Sequence, residues 1–172
     1  MHPALGLAIA YVSGSFPSAY LAGRTRGIDL RAHGSGNLGT TNVFRVLGWK
    51  MGLLVFTLDA LKGALPVVLL PNVTGTEEHV WWALAFGVAA IIGHVKPVFL
   101  LGRGGGKGVA TATGVFAALA PLAVGATFVL FAVVVATSGY VSLGSLVASV
   151  TLPIAILVTE GVGAVFWISA AV

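Results

Sequence analysis

The chain has 172 residues, of which 58% are hydrophobic and only 8% are charged, and its mean hydropathy is +1.03. Soluble domains carry about 25% charged residues, so this composition excludes a soluble globular protein and indicates one integral membrane domain over residues 1–172. Nine Lys and Arg residues outnumber five Asp and Glu residues. They are not interleaved with aromatic residues, which argues against nucleic acid as a partner. Cysteine is absent, which excludes disulfides and thiolate chemistry.

Seven apolar runs, taken in chain order, predict the membrane helices: 4–23, 51–71, 80–101, 109–119, 122–138, 143–159 and 161–172. A spanning helix needs about 20 residues, and the first three runs provide them. The run 109–119 is short and Pro121 ends it, which predicts a start deeper in the bundle; one kinked helix over 109–138 is the alternative. The pattern predicts an all-α polytopic bundle of about seven transmembrane segments, the last incomplete in this chain.

The charges of the connecting segments predict the orientation. Residues 24–50 hold five Lys or Arg residues and residues 94–108 hold three, whereas residues 72–79 hold two Glu residues and no Lys or Arg. By the positive-inside rule, 24–50 and 94–108 face the cytoplasm. A third site loop, at about 139–145, returns to the same side, and the N-terminus lies outside.

The first two apolar runs contain polar residues. Residues 13–20 include three serines and a proline, which predicts a kinked stretch that faces the bundle. In the second run, Asp59 and Lys62 are three residues apart. This spacing predicts an ion pair inside the membrane, with a functional contact as the alternative.

The polar segment 34–48 follows the first run. Its glycines and Asn37 predict an irregular loop, after which Thr40 or Thr41 caps a helix that runs to Leu47. If segment 34–48 forms no functional site, it is an ordinary loop followed by a capped helix.

The predicted helix places three polar side chains on one face. Thr41 and Arg45 are separated by four residues, and Asn42 and Arg45 by three, so all three lie together. A helix N-terminus with hydroxyl groups and an arginine binds anions well. The face is therefore a candidate phosphate site.

Residues 93–114 form the most polar segment, with one His, two Lys, one Arg and seven Gly residues. Three glycines followed by Lys107 predict a backbone cradle and a mobile charge for a phosphate. A nucleotide P-loop is disfavoured, because Leu101 stands where the first glycine is needed and Gly108 replaces the Ser or Thr after the lysine. His94 would act as a base, as a donor to an oxyanion or as a structural clamp.

Residues 14–21, 34–45 and 93–111 resemble, in order and spacing, the three motifs of the bacterial acyl-phosphate:glycerol-3-phosphate acyltransferases, the PlsY type. The resemblance implies a seven-helix bundle in the inner membrane, with its motifs facing the cytoplasm. It implies transfer of a fatty acyl group from acyl phosphate to the 1-hydroxyl of glycerol 3-phosphate, which yields lysophosphatidate and phosphate for phospholipid biosynthesis. Membrane lipids would surround a monomer that needs no cofactor, metal or protein partner.

The motifs and the resemblance together predict the site residues. The catalytic set is Ser35, Arg45, His94, Lys107 and Ser142. The substrate-binding set is Asn37, Thr41, Asn42, Gly104, Gly105, Gly106 and Gly108. By the resemblance, Ser35, Asn37 and Arg45 would hold substrate, and His94 would shape the site. The glycines with Lys107 would cradle a phosphate, and Ser142 would match a family serine in the loop after the fifth helix.

The predicted mechanism is direct attack of a hydroxyl on the acyl-phosphate carbonyl. No serine has an evident His–acid partner in the sequence, which argues against an acyl-enzyme. The base is either His94 or a substrate phosphate. A transporter or channel for a phosphorylated solute is the alternative function, and it would need a polar path through the membrane. A CDP-alcohol phosphotransferase is disfavoured, because it needs clustered aspartates and Asp29 and Asp59 are far apart in the sequence.

This chain differs from the family pattern in one respect. The family continues with the rest of the seventh helix and a tail whose His, Asn, Arg and Glu residues belong to the site. This chain ends at Val172, so the expectation is a truncated sequence with weak or no turnover.

Overall fold

The computed structural model describes residues 1–172 and contains helices and no strands. The nine α-helices are α1 Pro3–Gly14, α2 Ser18–Arg24, α3 Thr40–Leu47, α4 Trp49–Thr74, α5 Val80–Val95, α6 Val109–Leu119, α7 Pro121–Ser138, α8 Val141–Glu160 and α9 Ala164–Ala171. Five helical segments are long and apolar enough to cross a membrane: Pro3–Arg24, Trp49–Thr74, Val80–Leu100, Pro121–Ser138 and Val141–Glu160. The predicted all-α polytopic fold is confirmed.

The first span is broken between α1 and α2. Helix α1 ends at Gly14, and α2 begins at Ser18 directly after Pro17. Proline has no N–H to continue the hydrogen-bond ladder of α1, so the kink predicted for residues 13–20 is confirmed. At the break, the carbonyl of Phe16 accepts from the N–H of Ser18 at 3.0 Å and also from Lys62 Nζ of α4 at 2.9 Å, so it is available to a side chain from another helix.

Close helix packing through glycine sets the depth of α6. Gly14 of α1 lies against the backbone of Ala90 in α5, and Gly63 of α4 lies against the backbone of Thr111 in α6; a β-carbon at either glycine would overlap that backbone. Small residues of this kind let membrane helices approach closely. Because Thr111 is near the start of α6 and Gly63 is near the middle of α4, α6 begins inside the bundle, as predicted.

The structure decides between two alternatives at one helix boundary and corrects the prediction at another. The backbone leaves helical geometry at Ala120, so α6 and α7 are separate helices and the single kinked helix is wrong. Helix α8 already begins at Val141. The loop predicted at 139–145 is therefore much shorter, and Ser142 lies exposed in the first turn of α8.

Hydrogen bonds identify which segments share an end of the bundle. The N-terminal ammonium of Met1 donates to the carbonyl of Val73, at 2.9 Å, near the end of α4. The hydroxyl of Tyr11, near the end of α1, donates to the carbonyl of Lys96, at 2.8 Å, just after α5. Both glycine-rich segments, 34–39 and 102–108, therefore lie at the end opposite to the N-terminus.

Candidate functional site

Helix α3 presents Arg45 to solvent. Its Val43 is fully buried and packs in one cluster with Val55 of α4, which leaves Arg45 on the exposed face without a hydrogen bond or an ion pair. The predicted helix is confirmed, but the predicted cap is wrong. The N-cap residue is Gly39 with no side-chain bond, and the Thr40 hydroxyl is buried without a partner.

The buried amide of Asn42 holds the loop in front of α3. Its Oδ1 accepts from the backbone N–H of Ser35 at 2.8 Å, and its Nδ2 donates to the carbonyls of His33 at 3.1 Å and Leu30 at 3.3 Å. Gly34, with φ of +61°, leaves room for this amide. In this structure, Asn42 shapes the loop and the side chain of Ser35 stays exposed. Substrate binding by Asn42, Asn37 and Thr41 remains a prediction.

The second glycine segment packs directly on the end of α5. A β-carbon at Gly105 would lie 2.5 Å from the carbonyl oxygen of His94, and a β-carbon at Gly106 would overlap the Nε2 edge of the His94 ring. Gly104 has φ of +70°, a conformation that favours glycine. A β-carbon at Gly106 would also lie 3.1 Å from the carbonyl oxygen of Leu38. The two glycine-rich segments therefore meet beside His94.

Lys107 and Gly108 close this segment. Gly108, with φ of +83°, is the N-cap residue of α6, and Lys107 is exposed and makes no hydrogen bond or ion pair. An unpaired ammonium at the end of a glycine loop suits an anionic ligand.

A cleft lies between the α1–α2 break and the two glycine segments. It encloses about 230 Å³, counting its open mouth. Four predicted site residues line it, namely His94, Gly104, Gly105 and Gly106. The kinked stretch supplies another wall, from Ser15 to Tyr20. The cleft lining does not include Ser35, Asn37, Thr41, Arg45, Lys107, Gly108 or Ser142.

Lys62 lines the cleft, and its ion-pair partner Asp59 is fully buried behind that lining. Lys62 Nζ lies 2.7 Å from Asp59 Oδ1 and donates to the carbonyl of Phe16 at 2.9 Å. The hydroxyl of Ser18 also donates to Asp59 Oδ1, and His94 Nδ1 lies 3.8 Å from the same oxygen. The predicted ion pair is confirmed. Asp59, in the middle of α4, therefore lies beside His94 at the end of α5, although the two residues are far apart in the sequence.

Arg31 stands beside the mouth of the cleft. Its guanidinium pairs with Asp29 at 2.7 Å and lies 5.2 Å from the centre of the Tyr20 ring. Hydrogen bonding from Arg31 lowers the pKa of the Asp29 carboxyl to about 2. Because a β-carbon at Gly104 would lie 3.2 Å from Arg31 Cδ, this cation borders the glycine segment. In the sequence, Arg31 is one of the five Lys or Arg residues of segment 24–50 that predict the orientation, and nothing in its spacing indicates this contact.

Both the sequence and the fold are similar to those of known proteins. The family model for glycerol-3-phosphate acyltransferase matches residues 4–172. The glycerol-3-phosphate acyltransferase of Trichlorobacter lovleyi is 49% identical over 150 residues, which are 87% of this chain and 75% of that protein. That of Geobacter sulfurreducens is 44% identical over 153 residues, which are 89% of this chain and 77% of that protein.

A solved structure shares the fold. The crystal structure of PlsY (YgiH), an integral membrane glycerol 3-phosphate acyltransferase, in its glycerol 3-phosphate form, superposes with a TM-score of 0.89 at 36% identity. The match covers 98% of this chain and 83% of that one. Family model, relatives and fold agree with the motifs found in the sequence, and the chain belongs to the glycerol-3-phosphate acyltransferase family of PlsY type.

Proposed function

We propose that the acyl donor is an acyl phosphate and that the acceptor is the 1-hydroxyl of glycerol 3-phosphate. The observation that carries this proposal is the packing of Gly105 and Gly106 on the end of α5 beside His94, at the edge of a cleft. A glycine loop exposes backbone N–H groups that suit a phosphate. Both proposed substrates carry one, and Arg45 and Lys107 are two cations without an intramolecular partner.

The predicted catalytic residues and the glycine loop receive roles in this proposal. Arg45 binds one phosphate through its planar guanidinium, with Ser35 beside it. Lys107 and the glycine loop bind the other phosphate. Ser142 approaches the substrates from the start of α8. The apolar bundle wall accommodates the acyl chain, and the protein acts as a monomer.

The reaction is one displacement at the acyl carbon. The hydroxyl oxygen of glycerol 3-phosphate forms a bond to the carbonyl carbon, and the bond from that carbon to the phosphate oxygen breaks. The phosphate leaves with the electron pair. The hydroxyl proton passes to a substrate phosphate whose second pKa is about 6, and His94 shapes the site beside Gly106. Positioning and stabilisation of the developing charge by the cations and N–H groups account for catalysis.

The hydrogen bond of Ser18 to Asp59 supports transfer without an acyl-enzyme. A serine nucleophile needs a base, usually a histidine, that takes its proton. Ser18 instead donates to Asp59, whose same oxygen is already paired with Lys62. That arrangement holds the serine hydroxyl in place and gives it no histidine base.

The proposed location is the inner membrane of a bacterial cell, with the cleft facing the cytoplasm. The excess of Lys and Arg in residues 24–50 and 94–108 supports this orientation. The glycine segments and the N-terminus lie at opposite ends of the bundle, which is compatible with an N-terminus outside.

The donor is tested with the full-length protein purified in detergent, because weak or no turnover is expected of residues 1–172 alone. Palmitoyl phosphate and palmitoyl-CoA are supplied separately with glycerol 3-phosphate, and lysophosphatidate and phosphate are measured. We expect product from palmitoyl phosphate, a phosphate yield equal to the lysophosphatidate yield, and loss of both in Lys107→Ala. Product from palmitoyl-CoA alone would contradict the proposed donor. Uptake of a phosphorylated solute into proteoliposomes without any acyl transfer would support the transporter alternative.

A further inference from the structure

One exposed residue, Arg31, contacts three of the segments that surround the cleft. Its guanidinium carbon lies 5.2 Å from the centre of the Tyr20 ring in the kinked stretch. A β-carbon at Gly104 would lie 3.2 Å from Cδ of Arg31, and a β-carbon at Gly36 would lie 3.1 Å from its carbonyl oxygen. Arg31 is not part of the cleft lining, but Tyr20 and Gly104 are. From outside the cleft, Arg31 therefore joins both glycine-rich segments to the kinked stretch.

The backbone of Arg31 is anchored in the apolar core. Residues Leu30–Ala32 form a short 3₁₀ turn, and Leu30 is fully buried in one apolar cluster with Leu38. Asp29 caps this turn, because its Oδ1 accepts from the backbone N–H of Arg31 at 3.0 Å. The side chain of Arg31 thus starts from a fixed position.

Asp29 also fixes the orientation of the guanidinium. Nε of Arg31 donates to Oδ1 of Asp29 at 3.0 Å, and Nη2 donates to Oδ2 at 2.7 Å. This two-point contact uses the planar fork of arginine and orients the plane of the guanidinium beside Tyr20. Arg24 lies 5.9 Å from the centre of the same ring, but it makes no ion pair, so no carboxylate orients it.

The contacts of Arg31 matter for geometry more than for stability. Exposed ion pairs and exposed cation–π contacts are individually weak. Gly104, Gly105 and Gly106, however, have no side chains with which to hold their own position, and they line the cleft. A displacement of about 1 Å in a positioning element costs about 100-fold in rate. A weak contact that fixes this segment can therefore have a large effect on turnover.

We propose that Arg31 is a positioning residue that braces the glycine segment 102–108 against the kinked stretch at Tyr20. This inference rests on the proposed function, because the braced segment is the one that would cradle a phosphate. Asp29 orients the guanidinium, and the Tyr20 ring supports it. An arginine that served only to set the orientation in the membrane would need its charge, but neither the ring nor the planar fork.

The brace is tested by a double-mutant cycle on the full-length protein, with kcat/KM for palmitoyl phosphate as the readout. Arg31→Lys keeps the charge but loses the planar fork, and Tyr20→Leu removes the ring. We expect each to lose about tenfold at nearly unchanged Tm, which is less than the loss of about 100-fold for a full 1 Å displacement. The double variant should also lose about tenfold rather than about 100-fold, because both substitutions break the same contact.

The matched control is Arg24→Gln, which removes a cation beside the same ring. We expect its kcat/KM to change by less than about twofold, as for an exposed charge without a partner. Tyr20→Phe keeps the ring and should stay closer to the unsubstituted protein than Tyr20→Leu does. Full activity of Arg31→Lys, losses that multiply in the double variant, or equal damage from Arg24→Gln would each overturn the brace.

A second readout does not require turnover. Hydrogen–deuterium exchange of the backbone amides of residues 102–108 should be faster in Arg31→Lys and in Tyr20→Leu, and unchanged in Arg24→Gln. Unchanged exchange in folded Arg31→Lys would overturn the inference. If palmitoyl phosphate is not a donor, the proposed function fails, and the exchange rates still decide whether Arg31 braces the glycine segment.

Discussion

The packing of the glycine loop on the end of α5 makes Gly105→Ala a strongly damaging substitution. The new β-carbon would lie 2.5 Å from the carbonyl oxygen of His94 and 2.5 Å from the carbonyl carbon of Val95, whereas ordinary contacts begin at 3.4 Å. These atoms belong to the helix backbone and cannot turn aside. The loop must therefore move, and a displacement of about 1 Å in a positioning element costs about 100-fold in rate.

Gly106→Ala should be less damaging, because its main obstacle is the edge of the His94 side chain. The ring can rotate, and the carbonyl oxygen of Leu38 at 3.1 Å must give by only a few tenths of an ångström. Overpacking of this kind costs about 1–3 kcal/mol, and we expect about a tenfold loss of kcat/KM, where tenfold equals about 1.4 kcal/mol.

The matched control for both variants is Gly125→Ala. No atom lies within 4 Å of a β-carbon at this position in α7, and alanine favours a helix over glycine by about 1 kcal/mol. The assay is kcat/KM with palmitoyl phosphate, together with the Tm of each variant. Equal activity of Gly105→Ala and Gly125→Ala at similar Tm would refute the assigned role of the loop.

Three further predictions follow from the exposed cations and the ends of the bundle. Lys107→Ala should abolish transfer at unchanged Tm, because the side chain is exposed and packs in no core; near-normal turnover would remove Lys107 from the site. Arg45→Lys should raise KM for glycerol 3-phosphate, because lysine keeps the charge but loses the planar fork; unchanged saturation would make Arg45 only an orientation anchor. Cysteines placed at the exposed residues Ala32 and Glu78 should react with a membrane-impermeant reagent from opposite faces of the membrane, and labelling from one face would contradict the proposed topology.

The sequence could predict the helices because membrane spans have a strong signal. Apolar length and Pro121 favour separate helices α6 and α7 over one kinked helix, and the serines and proline of residues 13–20 indicate the break between α1 and α2. The boundary at Val141 was missed, because Ser142 and Gly144 resemble a loop although they continue a helix. Polar residues in the first turn of a helix have the same low hydropathy as a loop, so hydropathy does not show where the loop ends and the helix begins.

The site could be predicted only in part. Local motifs identified the glycine loop and His94, because their composition differs from an otherwise apolar chain. The position of Asp59 beside His94 depends on which turn of α4 meets the end of α5. That depth is set by glycine contacts such as Gly63 against Thr111, and spacing along one helix cannot reveal it. The predicted N-cap of α3 was wrong because the helix already begins at Thr40, which makes Gly39 the N-cap residue.

Direct transfer is tested most directly by mixing the full-length enzyme with acyl phosphate in the absence of glycerol 3-phosphate. We expect no burst of phosphate and no acylated protein by mass spectrometry. Addition of glycerol 3-phosphate should then release phosphate and lysophosphatidate in equal amounts, and initial-rate plots with both substrates varied should intersect. A phosphate burst with an acyl group on Ser18, Ser35, Ser142 or His94 would contradict the account and identify that residue as the nucleophile.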